Sequence, residues 1–234
     1  MKAARTDAGT KRERVQGMFS QIAPGYDRLN GVLSLSLHRQ WRRNSVTLLR
    51  LKPGQAAVDV CSGTGDFLAE LRAAVGASGA LAGIDFAAPM LAVSVTKGHP
   101  EVAVGDACAL PVRSGVAYGA TCGWGLRNVV DLDAALAEVF RVLRPGGRFV
   151  ALDTMVPTNP VMRVGSRVVF GLGSRLLGVV TGQREAYAYL PESTQIFATP
   201  PELVAALGRA GFVDAAWDGL MFGNVVRLVA RKPE

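Results

Sequence analysis

The ten residues Ala57-Val58-Asp59-Val60-Cys61-Ser62-Gly63-Thr64-Gly65-Asp66 constrain this chain more than any others. An apolar run that ends in an alternation of acid, small residues and glycines reads as a buried strand entering a ligand-binding turn. The DFLAELRAAV immediately after it carries a helical pattern. Gly63 and Gly65 let the backbone approach a ligand where a Cβ would clash, and the helix N-terminus beyond them presents unpaired N–H groups. Asp85 lies twenty residues past Gly65, at the end of a second apolar run, ALAGI, where a ribose-binding carboxylate would sit.

A dinucleotide fold is the first expectation, but Leu68 stands where G-x-G-x-x-G needs its third glycine. Asp59 also opposes a pyrophosphate by like-charge repulsion, whereas it suits the ammonium and sulfonium of S-adenosylmethionine. The D-x-C-x-G-x-G string therefore resembles the first motif of Rossmann-like methyltransferases. A third apolar run, VAV, closes on Gly105-Asp106-Ala107 and is similar to their adenine-binding turn. There Asp106 would accept from the adenine amino group while the Ala107 N–H donates to the ring. On this resemblance Asp59, Gly63, Thr64, Gly65, Asp85, Asp106 and Ala107 form the cofactor set, and no metal is expected.

At 234 residues and 49% apolar, the chain can bury one core with small appendages. Residues 1–14 are polar and charged and read as a disordered basic lead, with no secretory or membrane-spanning character. Cys61, Cys108 and Cys122 are odd in number and lack C-x-x-C spacing, which suits reduced thiols in a cytoplasm. Residues 1–54 hold 11 Lys/Arg against 3 Asp/Glu, while the remainder hold 15 against 16, so the basic excess is N-terminal. It reads either as a solvated tail or as a contact with an anionic partner, nucleic acid or the lipid of the inner face of the cell membrane.

Apolar runs at 56–60, 80–84, 101–104, 116–122 and 148–152 alternate with helical patterns near 66–76, 87–97 and 132–143, the signature of βαβ crossovers. Arg144-Pro145-Gly146-Gly147 reads as a turn from helix to strand. A helix at 200–210 precedes two terminal runs, FVDAAW and VVRLVARK, which would form a closing hairpin. The expected fold is α/β, a seven-stranded, mostly parallel sheet of the class I methyltransferase kind. It carries a helical cap at 15–54 and an insertion at 157–198. Val161–Val180 in that insertion is apolar, but Arg163, Arg167 and Arg175 divide it below the roughly 20 uncharged residues of a span. As a helix it would place those arginines within about a 120° sector, leaving a wide apolar face for a lid, a bilayer interface or ordinary core packing.

The string YDRLNGVLSLSLHRQW from Tyr26 to Trp41 closely resembles a signature of the menaquinone and ubiquinone biosynthesis C-methyltransferases. GLRNV at 125–129, RVLRPGGRFVALD and YAYLPES are similar to further stretches of that family. Departures are Leu29 for Met, Arg144 for Lys, Asp153 for Glu, Met155 for Ser, and Tyr118-Gly119 for Phe-Asp. The resemblance implies transfer of a methyl group from S-adenosylmethionine to a ring carbon of a prenylated hydroquinone, naphthoquinol or benzoquinol, by an enzyme that can be a homo-oligomer.

Carbon is a poor nucleophile until a neighbouring hydroxyl ionises, so the site needs a base or a group that stabilises a phenolate. Arg127 and Asn128, at the end of the fourth strand, are the first candidates: a fixed cation, since arginine keeps its proton, and its orienting partner. Tyr26 and His38 are the alternative acids or bases, His38 having the better intrinsic pKa but serving equally as a packing partner of Trp41. Nucleic acid is not expected as a partner, because GWGLRN is unlike the Asn/Asp-Pro-Pro-aromatic turn of enzymes that methylate exocyclic base nitrogens.

Overall fold

A computed structural model of the chain describes residues 8–157, 159, 161–163 and 184–234. Three helices, α1 (Ala8–Ile22), α2 (Tyr26–Leu33) and α3 (Leu37–Leu48), form the cap. Strands and helices then alternate as β1 (Ala57–Val60), α4 (Asp66–Val75), β2 (Leu81–Asp85), α5 (Ala88–Thr96), β3 (Val102–Val104), β4 (Ala117–Gly123), α6 (Leu132–Val142) and β5 (Leu143–Thr154). The chain ends with α7 (Arg184–Ile196), α8 (Pro200–Arg209), β6 (Val213–Leu220) and β7 (Val225–Arg231). The seven strands lie in the order β3-β2-β1-β4-β5-β7-β6, with β7 antiparallel to both neighbours and the other pairs parallel.

Helices cover both faces, so the central strands read as continuous apolar runs. In β5, Phe149 and Ala151 join the core beneath α6 and α8, whereas Val150 and Leu152 join the one beneath α3 and α4. The order reverses between β1 and β4, which opens a crevice at their carboxyl ends. The loops that the sequence marked, after β1, β2, β3 and β4, all end there.

Two local expectations change. Residues 8–14 are the first two turns of α1 rather than a disordered lead, because Val15, Met18 and Ile22 give the helix a buried stripe. Lys11 Nζ also donates to the Val129 carbonyl at 2.7 Å. Likewise Arg144-Pro145-Gly146-Gly147 is not a turn outside the sheet. It lies within β5 as an irregularity between the Ala117–Leu143 and Gly119–Arg148 pairs, with Gly146 at φ +73°. Pro145 cannot donate to a ladder, and a bulge is where a strand tolerates it. The apolar stretch beyond Arg163, with Arg167 and Arg175, lies outside the described residues. Of the rest of the insertion, α7 packs Tyr189 against Val15 and Met18 of α1.

Gly119, one of the departures, sits where a Cβ would come within 3.1 Å of Leu51 and 3.2 Å of Leu49. A larger residue there needs those leucines to move. Tyr118 lies under the guanidinium of Arg144, 4.2 Å from ring centroid to Cζ, so two departures from the family pattern meet in one cation–π contact.

Candidate functional site

The turn after β1 is built by unusual backbone. Cys61, Gly63 and Gly65 all have positive φ, which turns the chain sharply into α4, and the N–H groups of Ser62, Gly63 and Gly65 donate to Ile84 O, Asp85 Oδ2 and Ser62 O. Gly65, at φ +80°, has no room for a side chain, since a Cβ would fall 2.2 Å from the Oγ of buried Ser94. Gly65→Ala is therefore expected to lower stability by at least about 2 kcal/mol, the left-handed conformation and the clash acting together. Urea unfolding measures it, and an unchanged midpoint would contradict the close approach.

Asp85 closes β2 with both oxygens engaged. Oδ2 accepts from Gly63 N–H at 2.8 Å and Oδ1 from Ala87 N–H at 2.9 Å, so one carboxylate ties the glycine turn to the start of α5. Burial pushes its pKa up against those backbone donors. Asp106 Oδ1 accepts from Cys108 N–H at 2.9 Å, and Oδ2 pairs with Arg12 of α1 at 3.0 Å. Asp59 is 1% exposed and accepts from Thr121 Oγ1 at 2.7 Å, and burial raises its pKa to about 7. Thr64 donates to Asp27 of the cap at 2.5 Å.

Asp85 and Asp106 border a cavity of about 700 Å³ including its mouth. Asp85, Phe86, Met90, Asp106, Ala107, Tyr26, Trp124, Gly125 and Asn128 are among the residues that line it, with Tyr26 packed beside Phe86 and Met90. Asp85, the Asp106-Ala107 pair and the backbone of Gly63 all face this cavity, a set of acceptors and donors that fits the polar groups of S-adenosylmethionine. Asp59 and Thr64 line a smaller adjoining cavity.

The four residues nominated for chemistry separate. Tyr26 and Asn128 line the cavity; Arg127 and His38 do not. Arg127 is folded back, with Nη1 hydrogen-bonded to Asp153 and to the Trp124 carbonyl, and its backbone N–H 3.1 Å from Asp153 Oδ2. Asp153 is fully buried, so the expectation of a free cation beside the acceptor is corrected: the guanidinium neutralises a core carboxylate. Asn128 is not bonded to Arg127; its Nδ2 donates to Trp124 O at 2.9 Å and its Oδ1 accepts from Tyr189 at 3.1 Å. His38 is 3% exposed, and burial together with the adjacent Arg42 lowers its pKa to about 4, against its reading as a base near neutrality. Burial raises the pKa of Tyr26, which keeps its phenol protonated as a donor. Met155 lies in the core, so the serine it replaces has no polar counterpart here.

The cap is tied to this site by charge. Lys97 Nζ reaches Asp27 at 2.8 Å and Asp66 at 2.5 Å, and Arg42 lies 3.1 Å from Asp66. Lys11, Arg12, Arg14 and Arg42 all have partners inside the protein, Arg12 and Arg14 while staying about half exposed. Sequence reading missed Arg42, Trp124 and Tyr189. Arg42 carried a signal, standing four residues after His38 on the same helical face. Trp124, with φ +56°, carried none. Among the described residues no group of three His, Cys, Asp or Glu side chains could hold a metal ion.

The ubiE/COQ5 methyltransferase family profile matches residues 7–232. The chain is 37% identical over 231 residues to a demethylmenaquinone methyltransferase of Desulfitobacterium hafniense, covering 95% of this chain and 91% of that one. It is 39% identical over 222 residues to a 2-phytyl-1,4-naphtoquinone methyltransferase of Thermosynechococcus vestitus, covering 93% and 99%. Among solved structures, a SAM-dependent methyltransferase of Thermotoga maritima, a possible histamine N-methyltransferase, superposes with a TM-score of 0.65 at 18% identity, over 93% of this chain and 99% of that one, which speaks for the fold alone.

Proposed function

The chain belongs to the ubiE/COQ5 methyltransferase family, and we propose that it methylates a ring carbon of a prenylated naphthoquinol, demethylmenaquinol to menaquinol, in respiratory quinone biosynthesis. It is an S-adenosylmethionine-dependent methyltransferase acting on a quinone-type substrate. The observation that carries the assignment of roles is one cavity lined both by the carboxylates Asp85 and Asp106 and by Tyr26, Trp124 and Asn128.

When bound, S-adenosylmethionine supplies an electrophilic methyl group on a sulfonium. Asp85 would accept from the ribose hydroxyls, Asp106 from the adenine amino group, and the Ala107 N–H would donate to the ring. The Tyr26 hydroxyl, held protonated, would donate to a quinol oxygen and stabilise it as it ionises, with water taking the proton. Asn128 commits one of its two amide hydrogens to Trp124 O, which leaves the other for the same work. Trp124 offers an apolar wall for the ring. Arg127 and Asp153 act from behind that wall, fixing the turn that carries Trp124 and Asn128.

Asp59 makes cofactor affinity pH-dependent. Below pH 7 its carboxyl is mainly protonated, and a cationic ligand favours the ionised form, so binding must release a proton. The dissociation constant is expected to fall by up to about tenfold per pH unit as the pH rises toward 7, and to level off above 8. Calorimetry from pH 5.5 to 8.5 measures this; Asp59→Asn should flatten the profile, and a flat wild-type profile excludes the linkage.

Among the described residues no helix is long and apolar enough to cross a membrane. Peripheral contact is supported by the turn between α2 and α3, where Val32, Leu35 and Leu37 are exposed, Leu35 by 76%, beside the exposed Arg28 and Arg39. The deciding assay mixes purified protein and methyl-labelled cofactor with demethylmenaquinol, the corresponding demethylated benzoquinol or total RNA, each with and without anionic vesicles. Label should enter the naphthoquinol, faster on vesicles. Preferential labelling of the benzoquinol would overturn the ring assignment, and labelling of RNA the substrate class.

A further inference from the structure

The smaller cavity, of about 280 Å³, shares Tyr26, Cys61, Gly63 and Gly123 with the large one and is also lined by Arg42 and Asp59. Its role rests on the cofactor assignment, in which ribose and adenine occupy the large cavity at Asp85 and Asp106. The part of the cofactor left over, an aminobutyrate tail bearing one ammonium and one carboxylate, then falls to the smaller cavity beyond the glycine turn.

Arg42 is 5% exposed, yet its Nε has no hydrogen-bond partner among the described residues. The rest of the guanidinium is held firmly. It stacks 4.7 Å over the Trp124 ring, and Nη1 donates to His38 Nδ1 and lies 3.1 Å from Asp66. A buried charged donor left unmade is costly, and a guanidinium fixed on one edge with a donor idle on the other is a preorganised carboxylate site. Among the described residues no other cation is placed to do this. Arg12 lines the large cavity and is paired with Asp106, Lys97 is committed to Asp27 and Asp66, and Arg127 lines neither cavity.

We propose that Arg42 binds the α-carboxylate of the S-adenosylmethionine tail through its Nε edge, and that His38 is a positioning residue that holds Arg42 in place. His38 Nδ1 accepts from Arg42, so its proton sits on Nε2 and the ring is neutral. It orients the guanidinium without repelling it. The histidine of the Tyr26–Trp41 string thereby acquires a task in cofactor recognition in place of proton transfer.

The test uses three ligands on the full chain: S-adenosylhomocysteine, its decarboxylated analogue, and 5′-methylthioadenosine, which lacks the tail. On wild type, removing the carboxylate should weaken binding by about 10–100-fold, the worth of a charge-assisted hydrogen bond. In Arg42→Gln, S-adenosylhomocysteine should weaken by the same factor, the decarboxylated analogue by less than about threefold, and methylthioadenosine not at all. His38→Ala should give the same ligand pattern at smaller amplitude, which a merely structural histidine would not. Equal loss of all three ligands in Arg42→Gln, or wild-type indifference to the carboxylate, overturns the proposal; the second readout needs no variant, so misfolding cannot hide it. Failure of wild type to bind any of the three would instead overturn the cofactor assignment.

Discussion

Asp85→Ala is expected to lose S-adenosylmethionine binding by a factor on the order of 10²–10⁴, because two charge-assisted hydrogen bonds to the ribose go unmade, each worth about 1.5–3 kcal/mol. The structure adds a second consequence. Asp85 also accepts from Gly63 and Ala87, so its removal orphans two backbone donors, that of Gly63 in the turn lining the cavity and that of Ala87 at the start of α5. The variant should therefore unfold at a lower temperature even without ligand. Calorimetry and thermal melting read the two effects separately, and binding within a fewfold of wild type would displace the ribose from Asp85. Asp106→Ala should be milder, since the Ala107 N–H survives and the freed Arg12 reaches solvent.

Replacing Arg127 by Met should cost about 3–5 kcal/mol of stability, since it leaves Asp153, fully buried, as an unpaired core carboxylate. In a chain of this size that is a fall of roughly 6–20 °C in melting temperature. Converting Asp153 to Leu in the same chain should recover most of it, because replacing both ions by apolar groups removes the uncompensated charge. The pair also separates two views of the arginine. A stable double variant that keeps near-normal turnover would confine Arg127 to positioning the turn; a stable double variant that binds cofactor yet turns over about 10²–10³-fold more slowly would return it to the reaction as an oxyanion-stabilising group. An unchanged melting temperature in the single variant would contradict the buried pair itself.

Arg127 also shows where reading the sequence runs out. Its position after β4 was legible, because an apolar strand followed by a polar turn at the switch point places a residue at the crevice whatever the rest of the chain does. The direction of its side chain was not, since that depends on Asp153, a strand away and 26 residues later in the chain. His38 failed similarly. Its intrinsic pKa suited a base, and only the cap's packing, which buries it against Arg42, reverses that.

By itself the sequence determined the features that local pattern dictates. Short apolar runs alternating with helical periodicity place the strands to within a few residues, the glycines at positive φ shape the turn after β1, and the carboxylate twenty residues further on, Asp85, ends β2 beside that turn. The tertiary structure alone decided which charges meet. Arg12 with Asp106, Arg42 with Asp66, Lys97 with Asp27 and Arg127 with Asp153 join segments far apart in the chain. Strand and helix propensities act over a handful of residues, whereas an ion pair depends on distance in space and on the low dielectric of the interior, and neither is written along the chain.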